Sequence, residues 1–155
     1  MTSHIPVNII PDDEIARLAA QRWPENTKYQ ARVMTTIALC ESGGDANALY
    51  LNTDGILAGT LDRGLWGINE VAIRNVAGWI EPSLFWLPMY NVEFAHDIWQ
   101  FRFDQARTRG QSYTDALIYA YEGWTTYRMR KLQYASVWPM LWKRAGVALG
   151  LEHTP

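Results

Sequence analysis

The residue best placed for acid-base chemistry in this sequence is Glu41. It follows the apolar run Ile37-Ala38-Leu39-Cys40 and precedes Ser42-Gly43-Gly44, so a helix carrying that run ends at the glutamate and the chain turns into a glycine-rich loop. Apolar surroundings disfavour the charged form of a carboxyl and move its pKa toward neutrality. Such a group can hand a proton to a leaving oxygen and take one back, which is the chemistry that opens a glycosidic bond. Hydrolysis through two carboxylates requires a partner about 5 Å away for retention or roughly 6.5 to 9.5 Å away for inversion. Asp45, Asp54, Asp62 and Glu70 are the available partners, and Asp62 is the candidate second carboxylate among them.

Other reactive residues lack the company they need. Cys40 lies on an apolar helix face without a nucleophile's partner motif, so it reads as a core thiol. Glu93 and His96 stand one helical turn apart, but a di-iron bundle needs that pair twice and two further glutamates. His4 and His153 fall near the chain ends, and no Cys/His spacing matches a zinc site. The sequence predicts no metal and no cofactor.

The elements that must hold Glu41 follow from the spacing of apolar residues. A first helix capped by Asp12 or Asp13 carries Ile15, Leu18, Ala19 and Trp23 and stops at Pro24. A second runs over residues 27–42 with Tyr29, Val33, Ile37 and Cys40 on its inner face, which puts Glu41 at its C-terminal end. From Gly43 to Gly64 the glycines, asparagines and aspartates predict a loop or a small hairpin. Asn69 caps a short helix to residue 77, and Asn91 caps a longer one that presents Val92, Ala95, Trp99 and Ala106 and ends at Gly110. Ser112 with Asp115 forms a capping box for residues 113–122, and Trp138, Leu141, Trp142, Ala145 and Leu149 mark a last helix. The predicted class is mainly α, a helical core with one small irregular or short-hairpin lobe.

At 155 residues with 48% hydrophobic content, one domain with a substantial core is expected over the whole chain. The net charge of −2 argues against nucleic acid as a partner. The longest stretches without charge, such as residues 82–92, are far shorter than the roughly 20 apolar residues of a membrane span. With a single cysteine the fold owes nothing to an internal disulfide. Residues 1–13 carry no basic head or apolar stretch of a secretory signal. Eight tryptophans and eight tyrosines suit a sugar-binding cleft, with Trp23, Trp99, Trp138 and Trp142 assigned to the core by their positions on apolar helix faces.

Two segments in order, Glu41-Ser42-Gly43-Gly44-Asp45-Ala46-Asn47-Ala48 and Asp62-Arg63-Gly64-Leu65-Trp66-Gly67-Ile68-Asn69, resemble the soluble lytic transglycosylase and goose-type lysozyme superfamily, especially its phage-encoded members. Ala120-Tyr121-Glu122-Gly123-Trp124 is similar to that family's Ala-Tyr-Asn-x-Gly element, and Asn91 matches the asparagine that opens the corresponding helix. The resemblance spans about residues 33–127. It implies a lysozyme-like fold, peptidoglycan as substrate, Glu41 as acid/base and Tyr121 as the residue that orients it. It further implies Ser42, Trp66, Asn69, Asn91 and Trp124 as substrate-binding residues. Gly67 departs from the family, which has glutamine there; Glu122 stands where asparagine is frequent, and Gly123 comes one place early.

A lytic transglycosylase manages with one carboxylate, because the muramic acid 6-hydroxyl attacks within the substrate, and this chemistry is slightly preferred here over hydrolysis. The rival expectation is a virion protein that binds the wall, keeps the fold and cleaves little; its partners would include other phage virion proteins. Without a signal, a phage particle component, or a protein held in the host cytoplasm until release, is the expected location.

Overall fold

The computed structural model describes residues 5–153, so His4 lies outside the described residues. Among these residues seven α-helices and three short strands follow one another as α1 (Asp12–Arg22), α2 (Tyr29–Ser42), β1 (Leu49–Leu51), β2 (Leu61–Arg63), β3 (Ile68–Asn69), α3 (Glu70–Ala77), α4 (Pro88–Thr108), α5 (Tyr113–Tyr121), α6 (Thr125–Arg128) and α7 (Trp138–Ala148), with a 3-10 turn at Pro82–Trp86. The chain is mainly helical with a small antiparallel sheet in the order β1-β2-β3. No helix among the described residues is long and apolar enough to cross a membrane.

α2 runs through the centre of the molecule. Its residues from Val33 to Leu39 are buried without interruption, which a one-sided apolar stripe does not give. α1 and α7 pack on it, and α5 packs on α4. The expected inner face is half right: Val33 and Ile37 are buried, whereas Tyr29 is exposed and Cys40 is partly buried at the two ends. Thr35 and Thr36 tolerate this burial because their hydroxyls donate to the carbonyls of Ala31 and Arg32, each at 2.7 Å.

Several helix starts differ from expectation. Neither Asp12 nor Asp13 caps α1; Pro11 precedes the helix, and both aspartates lie in its first turn, where negative charge suits the dipole. Asp12 instead accepts two hydrogen bonds from Arg144 of α7, at 2.8 and 3.0 Å. Asn69 caps α3 as expected, accepting from the amides of Val71 and Ala72, and Ser112 caps α5 by accepting from the Asp115 amide. The predicted loop after Gly44 holds β1 and β2, with Tyr50 opposite Asp62. β3, which puts Asn69 opposite Asp62 on the other side, was too short to leave a period-2 pattern.

Asn91 is the largest correction. α4 begins at Pro88, three residues earlier than the asparagine, because proline's fixed φ suits a first helical position. Asn91 therefore lies inside the first turn, 1% exposed, and donates to the carbonyls of Arg63 and Phe85 while accepting from the Trp66 amide, each at 2.9 Å. Gly64, at φ +80°, leaves the space that this carboxamide fills: a Cβ there would come within 2.2 Å of Asn91 Nδ2. Asn91→Ala strands the buried Trp66 amide and Phe85 carbonyl together with the partly buried Arg63 carbonyl, and urea denaturation is expected to show a loss of about 3 kcal/mol. A loss under about 1 kcal/mol would mean that water replaces the carboxamide.

Candidate active site

Glu41 lies in the last turn of α2, which Gly43 stops with its left-handed φ of +63°. The loop opposite is pinned by the core. The Trp66 indole donates to the carbonyl of Met34 at 2.9 Å, and the Trp124 indole donates to the carbonyl of Trp66 at 2.8 Å. These bonds tie the segment after β2 to the middle of α2 and to the start of α6. The next residue, Gly67, is thereby brought under the Glu41 carboxyl.

Contact between Glu41 and Gly67 is close enough to dictate residue type. A Cβ on Gly67 would lie 2.8 Å from Glu41 Oε2 and 3.3 Å from its Cδ, and the backbone there has φ +56°. Only glycine combines that φ with an open Cα face. On the other side of the carboxyl, the buried Thr126 hydroxyl donates to Glu41 Oε1 at 3.1 Å. Both oxygens are thus located, one by a donor and one by the absence of a side chain.

Burial pushes the Glu41 carboxyl up to about 7; the Thr126 hydrogen bond opposes this, and the negative charge of Asp62 adds to it. A carboxyl that titrates there is protonated in a large fraction of molecules at neutral pH, as a general acid must be. Thr126→Val removes the donor that favours the ionised form, so the Glu41 carboxyl is expected to titrate above 7 when followed by carbon NMR. Titration below the wild-type value would mean that Thr126 acts chiefly as an acceptor.

Asp62 is the carboxylate that reaches Glu41 electrostatically. Its Oδ1 accepts from Asn52 Nδ2 at 2.9 Å and from Asn69 Nδ2 at 2.8 Å, and Asn69 Nδ2 also donates to Thr60 Oγ1 at 2.7 Å. This lattice fixes Asp62 on the middle strand. The other three candidates serve elsewhere. Asp45 accepts from the amides of Asn8 and Asn47 and so shapes the loop; Asp54 is exposed in the β1–β2 loop; Glu70 pairs with Arg63 at 3.0 Å.

Tyr121 does not orient Glu41. It is 1% exposed, its hydroxyl has no hydrogen-bond partner among the described residues, and its ring packs between Trp99 and Tyr127. Burial raises its phenol pKa, followed by the charges of Tyr29 and Glu25, groups at the opposite end of α2. Tyr29 precedes Glu41 by twelve residues, about 18 Å of helix axis. Thr126, five residues further along the chain, takes the contact instead. Tyr134, also unnoticed in the sequence, has its phenol raised by partial burial and then by the Glu41 charge, with Cys40 and Tyr50 contributing. Neither Thr126 nor Tyr134 belongs to a recognisable motif, so only the folded chain brings them to the acid.

The expected cleft residues are mostly structural. Trp66 is fully buried and Trp124 is 5% exposed; with their indole N–H groups bonded inward, they offer no ring face to a ligand. The Asn91 carboxamide is consumed by the backbone. Asn69 is 7% exposed and both ends of its amide are engaged within the protein. Ser42 closes α2, donating to the Ala38 carbonyl and accepting from the Gly44 amide. Cys40 has its thiol pushed up to about 11, chiefly by burial and then by Glu41, so it stays protonated at neutral pH. His96 packs its ring against Trp23 and Trp99. Among the described residues no group of three or more His, Cys, Asp or Glu could hold a metal ion. Comparison with protein-family models, with curated proteins and with solved structures returns no match for this chain, so the site's own chemistry carries the reading of function.

Proposed function

We propose that this protein is a peptidoglycan-cleaving enzyme with a lysozyme-like fold that acts on the β-1,4 bond between N-acetylmuramic acid and N-acetylglucosamine. The observation that carries the reading is a helix-end carboxyl held at about 7, its two oxygens placed by Thr126 and Gly67, with a second carboxylate, itself fixed by two amides, near enough for its charge to raise the first.

Because Thr126 donates to Oε1, the exchangeable proton of Glu41 resides on Oε2. That proton passes to the glycosidic oxygen as its bond to the muramic acid C1 breaks. The N-acetyl group of the same sugar supports the developing positive charge. The ionised Glu41 then takes the proton of the muramic acid 6-hydroxyl as that oxygen bonds to C1, closing a 1,6-anhydro ring and regenerating the acid. Burial favours the protonated Glu41 at rest, and the charge of Asp62 adds to this and favours the cationic transition state.

Mass spectrometry of the fragments released from purified peptidoglycan tests this directly. Anhydro-muramic ends, lost in Glu41→Gln and retained at reduced yield in Asp62→Asn, are expected. Reducing ends that vanish in Asp62→Asn would assign a two-carboxylate hydrolase instead. The burial of Trp66 and Trp124 favours one other reading, a wall-binding virion protein with little turnover, which predicts sedimentation with cell walls and no soluble fragments.

A further inference from the structure

The end of α2 remote from Glu41 opens into a separate cavity of about 340 Å³. Tyr29, Tyr127, Trp138 and Trp142 wall it over Val33, and among the described residues Arg130 is its one charged lining residue. The two indoles lie near-parallel, 22° apart with centroids at 6.5 Å. Tyr29 stands across Trp142 and Tyr127 across Trp138, each at 5.9 Å. Trp138 and Trp142 were expected in the core, yet both remain partly exposed because they face this opening.

Charge in the cavity is one-sided. Arg32, 4.3 Å from the Trp142 ring, is neutralised by Glu152 at 2.7 Å. Arg130 sits 3.9 Å over the Tyr127 ring and spends one nitrogen on the Tyr127 carbonyl, but it makes no ion pair among the described residues. Next to this wall, the buried Tyr121 hydroxyl lacks a partner among the described residues, its ring 5.2 Å from that of Tyr127. Flat aromatic faces receive the C–H face of a pyranose, a free guanidinium receives a carboxylate, and a largely apolar pocket with few polar groups is how small-molecule sites are built.

We propose that this cavity is a second glycan subsite, selective for a pyranose that bears a carboxylate. The ring stacks on Trp138 and Trp142 and the acid group reaches Arg130. That the occupant is a muramic acid unit rests on the function proposed above; the selectivity for a ring with an anion rests on the cavity alone. Val33 precedes Glu41 by eight residues, about 12 Å along α2, and Thr126 touches the acid while the next residue walls the cavity. The cavity therefore lies about two helical turns from the acid along α2.

The test is titration of the isotope-labelled protein with N-acetylmuramic acid, N-acetylglucosamine or benzoate, read at the Trp138 and Trp142 indole N–H signals. N-Acetylmuramic acid is expected to shift both, N-acetylglucosamine to bind at least about tenfold more weakly, and Arg130→Gln to weaken the acid sugar by about tenfold. Arg130→Lys should restore part of that loss, which separates charge from packing. Glu41→Gln should leave the titration unchanged, so the subsite can stand or fall independently of cleavage. Equal binding of the two sugars, no response to either, or benzoate outcompeting the acid sugar would overturn the proposal.

Discussion

Glu41→Gln is expected to lose turnover by at least about 10²-fold and, above pH 7, to unfold at higher denaturant than the wild type. Both effects have one cause. The carboxyl has its pKa raised from 4.5 to about 7 in the fold, so the native state holds the proton more tightly than the unfolded chain. Below pH 4.5 the group is protonated in both states and costs nothing. Between 4.5 and 7 the unfolded chain ionises first and stability falls; above 7 the decline is complete. At 1.36 kcal/mol per pH unit the loss is about 3 kcal/mol. The glutamine variant cannot ionise and escapes it. Urea unfolding of both proteins from pH 4 to pH 9 should give stability curves that separate across that window and run parallel beyond it. Curves parallel throughout would mean that the carboxyl titrates normally, and the assigned acid would fail with them.

Gly67→Ala is expected to damage both activity and stability. A left-handed φ costs an L side chain about 1–2 kcal/mol, and the new methyl would lie 2.8 Å from Glu41 Oε2, so the carboxyl must rotate away. Displacement of a catalytic group by about 1 Å can cost about 10² in rate. Gly67→Gln, with a longer side chain at the same φ, should be worse still. The diagnostic reading is the Glu41 titration: a carboxyl pushed toward water reverts toward 4.5, which a general loosening of the fold does not produce. If Gly67→Ala kept wild-type turnover and a Glu41 pKa near 7, the close approach would carry no function.

Much of this could be read from the sequence where the signal was local. The helix ending at Glu41, the Asn69 and Ser112 caps, and the last helix from Trp138 follow from periodicity and capping chemistry, which depend on near neighbours. What escaped was set by contacts across the chain. Asn91 resembled a cap but fills a hole above Gly64. Trp66 and Trp124 looked like cleft aromatics, yet their indoles are bonded into the core. Tyr121 was assigned to the acid on motif similarity, while its hydroxyl lies near the other end of α2. Gly67 stood out only as a departure from the family's glutamine, and in the fold it is the space the Glu41 carboxyl needs.

Trp66 and Asn91 together bind the segment under Glu41 to α2 and to α4, the two longest helices. That segment therefore has no local route to opening, and its amides should exchange with solvent only when the whole domain unfolds. β1, by contrast, is an edge strand with all three residues exposed, so its unpaired side is free to breathe on its own. The backbone under the acid is therefore expected to hold its place until the domain melts, while the edge paired with the strand of Asp62 is free to move first.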